Sequence, residues 1–238
     1  MRFVSIMLLL SMTSTLTWAG TWRDDFEAEE LDEMWVVSPS GLGEGYEWKI
    51  EDGELSAQMF DVIPFPWINS LQIGKADGLN WTDYSFEVKV KLLEKLGKVF
   101  NAVGFATRVQ PERGKTYGIS LRSDTEEVIG YKIEAINAIT NFFQGKLEFE
   151  DKWYNLKIIA EGDNIRFYLD GKLLKSVNDA TFKSGYAFLW MANVHAHFDD
   201  VIITGTGIPD GGHWNLSKHD VELKNKRAMV WGSIKERI

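Results

Sequence analysis

The chain has 238 residues, 45% of them apolar and 26% charged, with a formal net charge of −9. This composition excludes a disordered chain, and its acidic balance argues against nucleic acid as the main partner. The absence of cysteine excludes disulfides, a thiol nucleophile, thiolate zinc ligands and a lipidated cysteine.

The first residues read as a leader. Arg2 supplies a positive start, Phe3 to Leu10 an apolar run, and Thr17-Trp18-Ala19 ends on a small residue. Residues 1–19 are therefore expected to be a secretory signal peptide, cleaved after Ala19 or Gly20. The apolar run falls well short of the ~20 residues that a membrane span needs, so the mature protein is expected to be exported, periplasmic or extracellular, and not transmembrane. A cysteine-free exported chain suits a bacterial periplasm or exterior.

Beyond the leader, alternation of apolar and polar residues marks strands. Thr21 to Phe26 is the first, the acidic stretch Glu27 to Glu33 is exposed, and Met34 to Val37 is a short apolar segment. Trp48 to Leu55 reads as strand, Asp-Gly turn and strand. Pro64 and Pro66 make Asp61 to Trp67 a loop or edge, and Ser70 to Ile73 is again a strand. In Tyr84 to Leu92, Tyr84, Phe86, Val88, Val90 and Leu92 share one face, with Glu87, Lys89 and Lys91 opposite. Val99 to Val109, Thr116 to Arg122, Val128 to Asn137 and Ile139 to Gln144 follow. Trp153 to Val177 is a three-strand meander with its second turn at Asp170-Gly171, and Tyr186 to Ala192 and Ala196 to Thr204 are expected to cover it.

About a dozen short strands with Gly, Asp and Asn turns predict an all-β fold, a two-sheet antiparallel β-sandwich. It occupies residues 20–206. Residues 207–238 form a linker and a more basic tail, in which Val230, Trp231, Ile234 and Ile238 predict a short C-terminal helix docked on the sandwich.

The ordered pieces Trp48-Lys49-Ile50-Glu51-Asp52-Gly53-Glu54-Leu55, Asp83-Tyr84-Ser85-Phe86-Glu87-Val88, Gly104-Phe105-Ala106-Thr107-Arg108, Lys152-Trp153-Tyr154-Asn155-Leu156-Lys157, Asp170-Gly171 and Phe198-Asp199-Asp200-Val201 resemble the concanavalin A-like, laminin-G-like jelly-roll superfamily. The branch they resemble holds sugar-binding modules and the 3-keto-disaccharide hydrolase-type domain. The resemblance runs from about Trp22 to Gly205. It implies a jelly roll, but the superfold hosts lectins, lyases, hydrolases and adhesion modules alike.

Alternation suggests a groove. Gly104, Ala106 and Arg108 face away from Val103, Phe105, Thr107 and Val109, and Gly118, Ser120 and Arg122 face away from Tyr117, Ile119 and Leu121. Small side chains open space over the backbone, while guanidinium groups offer forked donors for hydroxyls or carboxylates. Trp190, as a platform for a sugar ring, and His195, His197 and Glu134 are expected to share this groove. The alternative is that the arginines pair with neighbouring acids and the small residues serve packing. Trp67 is the tryptophan expected to be exposed, whereas Trp22, Trp35, Trp48 and Trp153 are expected in the core.

Related jelly rolls carry structural calcium between strands. The resemblance thus implies Ca²⁺ as a cofactor held by Asp24, Asp25, Glu27, Asp199 and Asp200, whose hard oxygens suit that ion. His195-x-His197 is a transition-metal pair without an evident third ligand.

Glycosidase chemistry needs two carboxyl groups across a bound sugar. The laminarinase-like branch carries them as Glu-x-Asp-x-x-Glu, and no such motif occurs here. Ile133 to Asn137 contains only Glu134, and in Phe86-Glu87-Val88-Lys89 a lysine stands where the second acid would be. The sequence reading is an exported module that binds carbohydrate or a glycan surface without catalysis. The alternatives are a hydrolase of the 3-keto-disaccharide type and a structural or adhesion module.

Overall fold

The computed structural model describes residues 19–37, 45–59, 68–98, 100–111, 114–135, 137–150 and 152–215. Residues 1–18 of the predicted leader, the Asp61–Trp67 loop and the tail helix lie outside the described residues, and Ala19, the expected last residue of the leader, opens the first strand. Fifteen strands are described: β1 Ala19–Asp24, β2 Trp35–Val37, β3 Tyr46–Glu51, β4 Glu54–Met59, β5 Asn69–Ile73, β6 Tyr84–Lys95, β7 Ala102–Val109, β8 Thr116–Arg122, β9 Glu127–Ala135, β10 Ala138–Lys146, β11 Tyr154–Glu161, β12 Asn164–Leu169, β13 Lys172–Asn178, β14 Tyr186–Ala192 and β15 Val194–Thr206. The one helical element among the described residues is a 3-10 turn, Ala76–Asn80, which the sequence pattern does not announce.

The strands form two antiparallel sheets. Sheet A runs β13-β12-β11-β6-β15-β4-β3, with β1 also paired to β15, and sheet B runs β10-β9-β8-β7-β14-β5-β2. The meander β11–β13 is as expected. Its cover is not, because β14 lies in the opposite sheet whereas β15 lies in the same sheet as the meander, next to β6. Alternation assigns a side chain to a face, but it carries no information about which sheet a strand joins.

The core is the inner face of both sheets. Phe86, Val88 and Val90 of β6, Leu156 and Ile158 of β11, and Phe198 and Ile203 of β15 meet Val103 and Phe105 of β7, Tyr117, Ile119 and Leu121 of β8, and Leu189 and Met191 of β14. The Phe86 and Phe105 rings are 4.4 Å apart. Trp22 and Trp35 belong to this core and Trp48 packs at its margin. Trp153 does not fill the core as expected; it is only half-buried, one residue ahead of β11.

Strand β15 is central to sheet A. Its first half pairs β4 from His195↔Gln58 to Phe198↔Leu55, and its second half pairs β1 from Val201↔Asp24 to Thr206↔Ala19. The hand-over falls at a bulge where Asp200 takes a φ of 49°. Beyond residue 206 the chain continues along β1, with Arg23 N–H donating to Gly211 O and Asp25 N–H to His213 O, each at 3.0 Å. The segment 211–215 is thus attached to the sandwich rather than being pure linker.

Candidate functional site

The outer face of sheet B, turned away from the core, carries a second buried apolar cluster: Ala102, Ile129, Tyr131, Trp190 and Ala192, with Ile68, Phe100, Ile133 and Phe188 packed on it. A sheet facing only water on one side would present polar residues there. Strand register shows how this face is built. One row reads Tyr131, Gly118, Ala106, Phe188 across β9, β8, β7 and β14, and the next reads Ile129, Ser120, Gly104, Trp190. The middle two strands contribute small residues and the flanking two contribute large ones.

The small residues are as predicted, but part of the space above them is filled. A Cβ on Gly118 would lie 2.3 Å from the Tyr131 ring, so that ring rests directly over the glycine. Trp190 and Tyr131 are 4% and 8% exposed, so the two rings form a floor rather than walls. The Trp190 indole N–H makes no hydrogen bond of normal geometry. It nevertheless lies close enough to Tyr131 to favour phenolate slightly, against the burial that pushes the Tyr131 hydroxyl pKa well up.

One end of the face is closed by a stack. Phe100 lies 6.4 Å from Trp190, nearly parallel at 15°, and the Arg122 guanidinium sits 5.3 Å over the Phe100 ring. Asp124 receives Arg122 Nη2–H at 2.7 Å and Nε–H at 3.4 Å, and also the N–H groups of Phe100 at 2.8 Å and Asn101 at 3.2 Å. Burial works against its charge, but Arg122 and these amides hold its carboxyl below the ordinary value, so the pair is ionic at neutral pH. Arg122 is on the predicted face and paired to an acid.

Arg108 is not on that face. It takes a φ of 51° at an irregularity in the pairing of β7 with β14, which breaks the alternation and swings the side chain inward. The guanidinium is 1% exposed. Its Nε–H donates to Thr82 O at 2.9 Å, and Nη1 donates to Gly162 O at 2.8 Å and Phe182 O at 3.0 Å, with Asp83 Oδ1 3.5 Å from Nη2. These contacts make Arg108 a structural staple instead of a groove residue.

The histidines also lie elsewhere. His195 and His197 are on the outer face of sheet A, on the far side of the sandwich from Trp190. Their rings are 5.3 Å apart, His195 Nε2 is 3.2 Å from Ser56 Oγ, and His197 Nδ1 contacts Glu54. Burial, then the neighbouring His197, lowers the His195 pKa. Glu134 pairs with Lys132 at 3.2 Å and alternates away from Tyr131 along β9. Trp67 lies outside the described residues.

Asp24, Asp25, Asp199 and Asp200, four of the acids expected to hold calcium, meet protein groups. Asp24 accepts from Phe26 N–H at 2.9 Å and Trp35 Nε1–H at 2.8 Å, and Asp25 accepts from Asn215 N–H at 2.6 Å and Glu27 N–H at 3.4 Å. Asp199 accepts from Asp200 N–H at 2.7 Å, and Asp200 pairs with Lys89. Among the described residues no three His, Asp or Glu side chains are grouped to hold a metal ion.

Phe100, Asp124, Tyr131 and Phe188 were not singled out in the sequence. The available signal was Val128 to Ile133, whose apolar residues occupy both faces of one strand, as happens when both faces are covered.

The two sheets and their connectivity define a jelly-roll β-sandwich. Three of the solved structures that share it show the likeness. The carbohydrate-binding module CBM66 from Bacillus subtilis is 20% identical with a TM-score of 0.57, over 71% of this chain and 93% of that one. A Bacillus licheniformis β-glucanase is 14% identical with a TM-score of 0.55, over 77% and 97%. A Bacillus subtilis protein of unknown function with a galectin-like fold is 11% identical with a TM-score of 0.56, over 78% and 96%. At these identities the likeness is one of fold. No family model matches the sequence, and no curated protein matches it.

Proposed function

We propose that this protein binds carbohydrate without catalysis, through the outer face of sheet B. The observation that carries the reading is the stack Trp190, Phe100, Arg122 beside a stretch of the sheet face where β7 and β8 bear Gly104, Ala106, Gly118 and Ser120. Phe100, the partly exposed ring over the buried Trp190, offers apolar surface to the C–H face of a pyranose, and a guanidinium supplies directional donors for its hydroxyls. The company of a carbohydrate-binding module among structures of the same fold supports the sugar reading.

Binding is favoured over hydrolysis by what the floor lacks. Among the described residues, β7, β8 and β14 present Ala102, Gly104, Ala106, Gly118, Ser120, Phe188 and Trp190 on the floor, and the two carboxyl groups of the face, Asp124 and Glu127, sit together at one edge, engaged by Arg122 and Gln144, rather than on either side of the floor as a cleaving pair would. Glycan-array screening followed by calorimetry on wild type and Phe100→Ala tests the reading. Saturable binding, weakened roughly tenfold or more by the substitution, is expected. Binding that is unaltered in Phe100→Ala, or no binding to any glycan, would sink it.

A further inference from the structure

The charged side chains of this face lie along one edge of it. Arg122 on β8 stands opposite Glu127 on β9, which stands opposite Lys146 on β10, and Asp124 is bonded to Arg122. Positive and negative groups therefore alternate and cancel, two against two. Arg122 has its Nε and one Nη engaged by Asp124, and Lys146 Nζ donates to Thr125 O at 3.2 Å. The rest of the face is uncharged among the described residues, and the whole chain carries −9.

We propose that the site selects neutral glycans and rejects those bearing carboxylate or sulfate groups. This rests on the sugar-binding reading above. An acidic sugar would need an unmatched cation. Here Arg122 is already paired with Asp124, and a second anion brought to it would be set against Asp124 and Glu127, a juxtaposition of like charges that costs affinity. Arg122 keeps its unused N–H donors for hydroxyls, which need no net charge.

The test uses an immobilised panel of neutral oligosaccharides and their uronate- or sulfate-bearing counterparts. It is read for wild type, Asp124→Asn and Glu127→Gln at low and moderate salt. Asparagine retains an acceptor for the Phe100 amide, and Glu127→Gln leaves that loop untouched should Asp124→Asn disturb it. The expected result is wild-type binding confined to neutral glycans, with a gain of roughly tenfold for acidic ones in at least one variant, fading as salt rises. Wild-type binding to acidic glycans as tight as to neutral ones overturns the selectivity while leaving the site in place. So does a failure of both folded variants to gain acidic binding. Binding of no glycan by any of the three proteins overturns the sugar-binding reading and this inference with it.

Discussion

The backbone N–H of Arg108 donates to the Tyr84 hydroxyl at 2.7 Å, joining the two sheets through one buried contact. The same hydroxyl lies 3.1 Å from Gly185 O and 2.9 Å from Tyr186 O. Together with the guanidinium bonds to Thr82, Gly162 and Phe182, it fixes the β6 entry, the β11–β12 turn and the approach to β14.

Replacing Arg108 by Ala should therefore cost stability rather than recognition. Three carbonyls lose their donors, and the expected loss is about 3 kcal/mol or more, read by urea unfolding. Lysine should rescue little, since one ammonium cannot reproduce the fork. The folded fraction should bind glycan as wild type does. Full stability with abolished binding would return Arg108 to the binding face.

Gly118→Ala is expected to disturb both. Its new methyl would sit 2.3 Å from the Tyr131 ring, forcing the ring off its seat at a cost of about 1–3 kcal/mol. Since Tyr131 and Trp190 belong to the same cluster on the outer face, glycan affinity should fall as well. Gly145→Ala is the contrast, because its Cβ would meet only Val128 at 3.5 Å. Thermal melting and calorimetry on both variants check this.

Asp24 gives an unusual pH dependence. Burial, partly offset by the Trp35 and Phe26 hydrogen bonds, raises its pKa from 3.8 to about 6. The folded state thus holds a proton that the unfolded state has released between these values. The contribution of Asp24 is full below pH 3.8 and is lost as pH rises to 6, by roughly 2–3 kcal/mol. Asp24→Asn should flatten that slope in unfolding experiments across pH 3.5–7.

His195 works in the opposite sense. Burial and His197 lower its pKa, against the pull of Glu94 and Glu51 and with a small push from Lys49. The unfolded chain binds its proton first, so the contribution of His195 is present above pH 6.5 and is lost as pH falls below it. His195→Gln should remove this acid-side loss. A variant that follows the wild-type curve through pH 5–7 would count against it.

The legible parts of the fold were those in which period and turn chemistry agree. Tyr84 to Leu92 alternates without interruption and became the long strand β6, and Asp170-Gly171 marked its hairpin correctly. Arg108 was illegible because a single left-handed φ reverses the alternation, and nothing in Ala106-Thr107-Arg108 announces it. The histidines were misplaced for a different reason. His195 and His197 do face away from Phe198, as their spacing says, but their sheet is decided by the partners β4 and β6, over a hundred residues upstream. Arg122 and Trp190 were placed on a shared face because β7, β8 and β14 are neighbours in sheet B. Tyr131 went unnoticed since the glycine that it covers sits on another strand.

The central place of β15 bears on when this chain can fold. Among the described strands, the β3–β4 hairpin and the β6–β11–β12–β13 block have no direct pairing to each other; both are paired through β15, and β1 joins the sheet through β15. A nascent chain that has emerged only as far as β14 thus holds the pieces of sheet A without the strand that joins them. Pairings so distant in sequence form slowly, after much loop-closure entropy has been spent. Assembly should therefore await the last strands, leaving most of the polypeptide threadable while synthesis proceeds.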